Sequence, residues 1–566
     1  MKDSPVVEFG PPRVLLVGVI GAVLLWLAQP PAALWPLAWI APGVWLWLAE
    51  SPAEWRRREY LKMWLAGSLY WLLAVHWVRL PHPLTPLGWA PLALYLGLYP
   101  VALVALVRTA RRRWRWPLWL AAPVVWTGLE LLQARLFTGF LMGAVSHSQA
   151  GQPWIRSLAA YAGAYGVTFA VVLVAATLAN AFLAWKTPRR GRRLIEAIAS
   201  IAIVIAVGFA ARSAVETNFK IDKAPRPRVA LIQGDIRATW DPDPARGQRI
   251  MDRHMVLSRE AFAQSRRDGR PVDLVIWPES MFRTPLIYFD GAAEPPADAD
   301  DAYTARIENT ASWLKVLADM TGGAASLVGI DRFDILSEPA GVGDERVYNS
   351  VLLSDGEGQP IAVYDKTHLV PFGEYIPFAS GMPIIYYLTP ISGGMGVGAG
   401  PVAMDAPLRD GPLGNGGVLR LCPSICYETV VPHVIRRQVA TLTADGERPD
   451  VLVNVTNDAW FWGSSELDMH LACGVYRAVE NGLPLLVAAN GGLSAVIDAT
   501  GEVQALGPRM AEQALVADVP RPSARATFYS RWGDVFAGVC LAACGLLAGS
   551  RGVEAIKLRR AASRGR

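Results

Sequence analysis

The chain has 566 residues, of which 52% are hydrophobic and 18% charged. This balance is more apolar than that of soluble globular proteins, so it excludes one ordinary soluble domain, and the length predicts at least two domains. The net charge of +5 does not indicate nucleic-acid binding, because the arginines fall in short clusters between apolar runs and form no basic face with interleaved aromatic residues.

Eight apolar runs approach the length that a helix needs to cross a bilayer, which is about 20 residues. Seven of them follow one another in the first 216 residues, and Trp and Tyr recur near their ends, as they do at membrane interfaces. The sequence therefore predicts an α-helical membrane bundle of about eight spans. The predicted spans are 14–33, 34–49, 61–78, 87–107, 116–132, 155–185, 195–211 and 535–549.

Lysine and arginine alternate between the loops that join these spans. They are concentrated in loops 56–62, 108–115 and 186–193 and in the tail after the last span, whereas the intervening stretches 29–33, 81–86 and 137–153 carry none. Since positively charged loops stay in the cytoplasm, the N-terminus and the tail are predicted to be cytoplasmic, and residue 217 onward to be exported. The predicted domains are a membrane domain of seven spans (1–216), an exported domain (217–524) and a C-terminal span with a basic tail (525–566).

The region 224–524 is charged, rich in turns and marked by short β-type runs. Many of these runs are apolar throughout, which indicates strands buried on both faces. Strands that alternate with helices predict a layered α/β domain. The predicted strands are 229–236, 272–277, 326–330, 350–353, 361–364, 418–421, 451–455, 485–489 and 495–498, and the predicted helices are 248–267, 302–320 and 469–481.

Three β-type runs are each followed by an unusual polar residue. Glu279 comes after an apolar run and a proline, where partial desolvation would raise its pKa toward the range useful to a general base. Lys366 offers a compact ammonium that can point at a developing oxyanion, and Cys426 lies at a strand-to-helix turn, which suits an activated nucleophile. Taken singly, each also fits an ordinary role: a surface acid, a surface lysine and a buried structural thiol.

In this order along the chain, Glu279, Lys366 and Cys426 resemble the catalytic set of the nitrilase (carbon–nitrogen hydrolase) superfamily, over residues 229–519. The most specific segments are Trp-Pro-Glu at 277–279, Lys-Thr-His-Leu-Val-Pro-Phe-Gly-Glu at 366–374 and Cys-Tyr-Glu at 426–428. Gln-Gly-Asp at 233–235 and Asn-Asp-Ala-Trp-Phe at 457–461 are also similar to the family. With the membrane region added, the whole chain resembles apolipoprotein N-acyltransferases.

The resemblance implies an αββα sandwich and a role for each matching residue. Glu279 would be the general base, Lys366 the oxyanion stabiliser and Cys426 the nucleophile. Glu374 and Glu428 match further acidic positions of the family, of which Glu374 would support the site. Tyr427 and Trp240 match positions that line the site.

The implied reaction is the last step of bacterial lipoprotein maturation. A phospholipid, by resemblance phosphatidylethanolamine, would give a fatty acyl group to Cys426, and the α-amine of a diacylated apolipoprotein would then accept it in a ping-pong scheme. Neither a cofactor nor a metal is required. The implied location is the bacterial inner membrane, with the catalytic domain in the periplasm.

Since both substrates keep their acyl chains in the bilayer, apolar loops are expected to form a lipid entrance. The candidates are residues 384–388 and Trp-Phe-Trp at 460–462, with the glycine-rich stretch 393–400 as a mobile lid between them.

Two other functions remain open from the residues alone. A membrane-tethered amidase or nitrilase-like hydrolase would use the same three residues with water as the second nucleophile. A lipid-binding receptor or transporter would need none of them, although the predicted spans contain few charges, which disfavours ion-coupled transport. The seven histidines show no metal-ligand spacing. Cys422 and Cys426 lack the second pair expected of a cysteine metal site.

Overall fold

The computed structural model describes residues 13–219, 226–241, 243–297, 299–337, 345–377, 394–409, 417–520 and 525–564. The chain forms two compact units. The first comprises Met1–Arg79, Pro83–Glu216 and Thr527–Arg566, and the second comprises Leu80–His82 and Thr217–Ala526.

The first unit is helical. Its helix Arg190–Asn218 exposes a row of large aliphatic and aromatic side chains that includes Ile195, Ile203 and Phe209, as a lipid-facing helix does. The helices are α1 (Val14–Ala28), α2 (Ala41–Glu50), α3 (Arg57–Ala74), α4 (Pro86–Leu96), α5 (Leu98–Arg112), α6 (Leu118–Gln133), α7 (Pro153–Arg156), α8 (Ala159–Leu183) and α9 (Arg190–Asn218), followed after the second unit by α14 (Phe528–Trp532) and α15 (Val535–Arg564).

Three helical stretches among the described residues are long and apolar enough to cross a membrane. They are Pro86–Arg112, Ala159–Leu183 and Arg190–Asn218, while Val14–Ala28, Leu118–Gln133 and Val535–Arg551 are apolar but shorter. The predicted count of about eight spans is therefore not confirmed. One reason lies in the predicted span 34–49, which is divided into a 3₁₀ helix (Trp35–Trp39) and the ten-residue α2, each with a proline in its first turn.

The second unit contains two six-stranded sheets. Its strands are β1 (Arg228–Gln233), β2 (Leu274–Phe289), β3 (Ala325–Ile335), β4 (Glu345–Ser354), β5 (Pro360–Asp365), β6 (Met404–Pro407), β7 (Val418–Ile425), β8 (Val451–Asn457), β9 (Leu485–Asn490), β10 (Ala495–Ile497), β11 (Val503–Leu506) and β12 (Gln513–Asp518). Its helices are α10 (Arg246–Arg267), α11 (Asp301–Thr321), α12 (Pro432–Ala444) and α13 (Glu466–Asn481).

Each sheet has a parallel centre and antiparallel edges. The first sheet has the order β12-β1-β2-β3-β4-β5 and the second β11-β10-β9-β8-β7-β6. In the first, β1, β2 and β3 run parallel, and in the second β7, β8 and β9 do. Because parallel strands are buried on both faces, their apolar runs lack alternation, as the sequence indicates.

The two sheets face each other across one hydrophobic core. Leu231, Ile276 and Leu353 of the first sheet pack in the same cluster as Leu421 and Val453 of the second. On the outer face of the first sheet, α10 and α11 cover a second cluster, and α12 and α13 contact β7 and β9 of the second sheet. The layers therefore follow the order helix, sheet, sheet, helix, which is an α/β sandwich.

Candidate active site

Lys366 and Cys426 both lie directly after strands that the sequence predicts. Lys366 follows β5, and its backbone N–H donates to the carbonyl oxygen of Asn349 at 2.8 Å. Cys426 follows β7 and begins a 3₁₀ helix, Cys426–Val430, with a φ of +49°. Such a φ is uncommon for a residue other than glycine, so the surrounding contacts must hold the nucleophile candidate in place.

Glu279 lies inside β2 rather than at a strand end, so the sequence interpretation was wrong on this point. The pairing of β2 with β3 shifts register between Trp277 and Phe282, and the strand then continues to Phe289. At this irregularity Gly329 of β3 approaches so closely that an added Cβ would lie 2.3 Å from the carbonyl oxygen of Pro278. Pro278 and the polar residues after it indicate a strand end, but the strand resumes after a bulge.

The acidic and basic side chains form one buried cluster. The Nζ atom of Lys366 lies 2.7 Å from Oε1 of Glu374 and 3.8 Å from Oε1 of Glu279. Asn349 donates from Nδ2 to both Oε1 atoms, at 2.7 Å for Glu279 and 3.0 Å for Glu374, and the backbone N–H of Asn457 donates to Oε2 of Glu279 at 2.9 Å. Sequence reasoning missed Asn349, because an asparagine within a strand carries no motif.

The charges of Glu279 and Lys366 act on the pKa of the Cys426 thiol. Burial raises the pKa of the Cys426 thiol well above its usual value, the Glu279 carboxylate raises that pKa further, and the Lys366 ammonium lowers it. Burial also raises the pKa of Glu279, with Lys366 opposing the shift. Burial lowers the pKa of Lys366, but Glu374 and Glu279 outweigh it, so the pKa ends above its usual value. At neutral pH Lys366 is therefore an ammonium, and the thiol keeps its proton until a base removes it.

Glu428 joins the Lys366 segment to the Cys426 strand. Its Oε1 accepts from the backbone N–H of Thr367 at 2.9 Å and of His368 at 3.1 Å, and from the Tyr364 hydroxyl at 2.7 Å. Its Oε2 accepts from the backbone N–H of Ile425 at 2.7 Å. One buried carboxylate thus connects the residues after Lys366 with the residue before Cys426.

The other three predicted positions differ in their surroundings. Glu374 holds Lys366 and accepts at Oε2 from the backbone N–H of Val370 at 2.8 Å. The Tyr427 ring stacks on His368, with ring centroids 5.9 Å apart. Trp240 is 45% exposed and lies outside the charged cluster, with its ring centroid 4.9 Å from that of Trp460.

The predicted lipid-entrance segments are only partly described. Residues 384–388 and residue 393 lie outside the described residues. The remainder of the predicted lid is not a free loop, because Gly396 donates to the carbonyl oxygen of Val347 at 2.7 Å and Gly398 to that of Lys366 at 2.9 Å. A Cβ at Gly398 would lie 2.1 Å from the carbonyl oxygen of Asp365. The glycine here permits close approach to the Lys366 segment.

One group in the described part of the chain has the chemistry of metal ligands. The ligand atoms of Asp458, Glu466 and His470 all lie within 4.8 Å of one another. Both nitrogens of the His470 ring, however, already face hydrogen-bond partners in this arrangement. The group is therefore a hydrogen-bonded cluster as it stands.

Comparison with families of known proteins agrees with this fold. A family model described as carbon-nitrogen hydrolase matches residues 228–529, so the second unit has the α/β fold of that superfamily. A second model, described as apolipoprotein N-acyltransferase N-terminal domain, matches residues 21–177. A crystal structure of an amidase from Nesterenkonia is 20% identical and covers 53% of this chain and 93% of that chain, with a TM-score of 0.33.

Curated relatives extend the similarity over nearly the whole chain. The apolipoprotein N-acyltransferase of Geobacter metallireducens is 32% identical over 95% of this chain and 95% of that protein. The one of Rhodopirellula baltica is 30% identical over 93% of this chain and 95% of its own length. The chain belongs to the apolipoprotein N-acyltransferase family and is an N-acyltransferase, which confirms the resemblance seen in the sequence.

Proposed function

We propose that the protein transfers a fatty acyl group from a phospholipid to the N-terminal α-amine of an S-diacylglyceryl-cysteine lipoprotein, through a thioester on Cys426. The observation that carries this proposal is the buried cluster of Lys366, Glu279 and Glu374, whose charges act on the pKa of the Cys426 thiol. The family membership supports the lipoprotein acceptor.

The first half-reaction forms the thioester. Glu279 takes the thiol proton as the sulfur of Cys426 attacks the ester carbonyl carbon of the phospholipid. Negative charge develops on the carbonyl oxygen, where the Lys366 ammonium, anchored by Glu374, and the backbone N–H of Tyr427 stabilise it. Each such donor is typically worth about 3–4 kcal/mol. The bond from the carbonyl carbon to the glycerol oxygen then breaks, Glu279 returns the proton to that oxygen, and a lysophospholipid leaves.

The second half-reaction transfers the acyl group. The lipoprotein α-amine attacks the thioester carbon, and Glu279 takes a proton from the nitrogen. The carbon–sulfur bond breaks, the amide is released, and the proton returns to Cys426. Glu279 is therefore needed in both half-reactions. It takes the proton of the thiol, which is protonated at rest, in the first, and the proton of the amine in the second.

The lipid nature of the substrates fits the surface beside the site. Asn457, whose backbone N–H binds Glu279, is followed by the 3₁₀ helix Asp458–Phe461. Trp460 of this helix packs on Trp240, and the neighbouring Trp462 is 49% exposed. An aromatic surface of this kind suits acyl chains. Phosphatidylethanolamine is the donor we propose, on the family resemblance.

The proposed setting is the bacterial inner membrane, with residues 217–524 in the periplasm as the catalytic domain, between the membrane domain 1–216 and the C-terminal segment 525–566. The alternation of Lys and Arg between the loops supports this orientation. Periplasmic exposure places the site beside the lipoproteins that it would acylate.

The test uses the purified full-length protein with an acyl-labelled phosphatidylethanolamine. Mass spectrometry is expected to find the acyl group on Cys426, and a diacylated lipopeptide is expected to remove it. Cys426→Ser should form no thioester, whereas Cys422→Ser, which changes a buried thiol four residues earlier, should behave as wild type. Release of free fatty acid at the same rate without the lipopeptide would identify a hydrolase instead, and a label on another residue would refute the assignment of Cys426.

A further inference from the structure

The backbone carbonyl oxygen of Cys426 is surrounded by donors. Oγ1 of Thr429 lies 3.1 Å from it, Nε2 of His470 3.2 Å and Nδ2 of Asn454 3.3 Å. A carbonyl oxygen has two lone pairs, so three donors exceed its ordinary share. This concentration occurs at the residue whose φ of +49° needs support from its surroundings.

His470 is itself held on both sides. Its Nε2 lies 2.8 Å from Oγ1 of Thr429, and its Nδ1 lies 3.2 Å from Oδ1 of Asp458 and 3.7 Å from Oε1 of Glu466. The imidazole and both carboxylates are buried. Nδ1 faces carboxylate oxygens, and Nε2 faces the Cys426 carbonyl oxygen and the Thr429 hydroxyl. A ring protonated at both nitrogens can donate to all of these oxygens. Burial lowers the pKa of His470, but Asp458 and Glu466 outweigh it and bring the pKa to about 9.

The direction of this carbonyl sets the direction of the next N–H. A trans peptide is planar, so the Tyr427 N–H points opposite to the Cys426 carbonyl. In acyl transfer, a backbone N–H next to the nucleophile is well placed to bind the oxyanion, provided that its direction is fixed before the reaction. A carbonyl held by three donors is fixed in this way.

The proposed mechanism already uses the Tyr427 N–H as an oxyanion donor beside Lys366. We propose that His470, held by Asp458 and Glu466, is a positioning residue that acts with Thr429 and Asn454 to fix the Cys426–Tyr427 peptide in the orientation that this N–H needs. The inference rests on the proposed function, because it assigns a task within the same site. His470 touches no reacting atom. Its effect on the reaction passes through the peptide that it orients.

The experiment compares two reactions of the same thiol in the full-length protein. Acylation of Cys426 by labelled phospholipid passes through an oxyanion, whereas alkylation of Cys426 by iodoacetamide does not. His470→Leu is expected to slow acylation by about 10- to 100-fold, in the range of a lost or misaligned oxyanion donor. Alkylation should stay near the wild-type rate, and His470→Gln, which retains an amide N–H, should recover part of the acylation rate.

A matched pair of threonine variants covers the case in which a change at His470 prevents folding. Thr429→Val removes a hydroxyl that donates to the Cys426 carbonyl oxygen, and Thr310→Val removes a buried hydroxyl that donates to the carbonyl oxygen of Pro285 at 2.8 Å. Thr429→Val should slow acylation selectively. Thr310→Val should not slow acylation, because the hydroxyl that it removes binds Pro285 and not the Cys426–Tyr427 peptide.

Four outcomes would overturn the inference. Equal slowing of acylation and alkylation would indicate general disorder of the pocket, and an unchanged acylation rate in His470→Leu would remove the proposed role. A stoichiometric metal ion that the wild type holds and His470→Leu loses would identify the cluster as a metal site instead. If the wild type forms no acyl adduct on Cys426, the proposed function fails first and the inference falls with it, a result distinct from a failure seen only in the variants.

Discussion

The buried Lys366–Glu374 pair offers a test that separates stability from catalysis. Lys366 is 1% exposed, and its Nζ atom lies 2.7 Å from Glu374 and 3.8 Å from Glu279. Lys366→Met leaves the two carboxylates together around Asn349 without their cation. Removing one partner of a buried ion pair typically costs about 3–5 kcal/mol, so we expect a clear fall in the melting temperature in detergent.

The double variant Lys366→Met/Glu374→Gln removes both charges of the pair. Replacing a buried pair as a whole is often close to neutral, so most of the lost stability should return. Single-turnover acylation of Cys426 should remain slower than wild type by about 10²- to 10³-fold, because no ammonium faces the oxyanion. The second substitution is thus expected to restore most of the free energy of unfolding but not the acylation rate.

An exposed ion pair provides the control. Lys315 and Asp319 lie one helical turn apart on α11, with Nζ and Oδ1 2.8 Å apart, nearly the same separation as in the buried pair. Lys315→Met should change neither stability nor acylation measurably, because exposed pairs contribute little. Recovery of acylation in the double variant would refute the oxyanion role of Lys366, and a Lys366→Met protein as stable as wild type would refute the cost assigned to the buried pair.

Three further predictions concern the same site. Burial raises the pKa of Glu279, and Glu279 must be ionised to act as the base. The acylation rate should therefore rise with pH through a midpoint above the pKa of an ordinary glutamate. A midpoint at or below that usual value in single-turnover pH profiles would contradict this. Gly398→Ala should slow acylation, because the new Cβ would lie 2.1 Å from the carbonyl oxygen of Asp365, the residue before Lys366. Gly400→Ala is the control in the same rate measurement and should leave the rate unchanged, because no atom lies within 4 Å of a Cβ there. Glu428→Gln should lower the free energy of unfolding by about 2–3 kcal/mol, since an amide cannot accept at both ends, and equal stability in thermal unfolding would show that the bonds matter little.

The sequence predicted those parts of the second unit that have strong local patterns. The central strands are continuous apolar runs, and Lys366 and Cys426 do follow strands. The strands β6, β11 and β12, which lie at sheet edges, were not predicted because they lack a continuous buried apolar run. The residues of β11 alternate between half-buried and exposed, and those of β12 are half-buried throughout. Edge strands depend on pairing partners rather than on their own hydrophobicity.

Other features depend on contacts that no local pattern records. Glu279 was expected at a strand end, but it lies at a bulge within β2, where Gly329 of the neighbouring strand approaches closely. Asn349 matters because it binds two carboxylates that are 70 and 25 residues away in the chain. His470 matters because it contacts a carbonyl oxygen that is 44 residues away. In the first unit, hydropathy located apolar segments, but it could not tell a continuous helix from the interrupted stretch before α2.

The reacting groups come from opposite halves of the sandwich. Glu279, Asn349 and Lys366 are carried by the first sheet, whereas Cys426 is carried by the second, and Glu428 ties one half to the other. The distance between the Cys426 thiol and the Lys366 ammonium therefore depends on how the hydrophobic core packs between the two sheets. Substitutions in that core, far from any polar atom of the site, would change this distance. We expect them to lower the turnover rate before they unfold the protein.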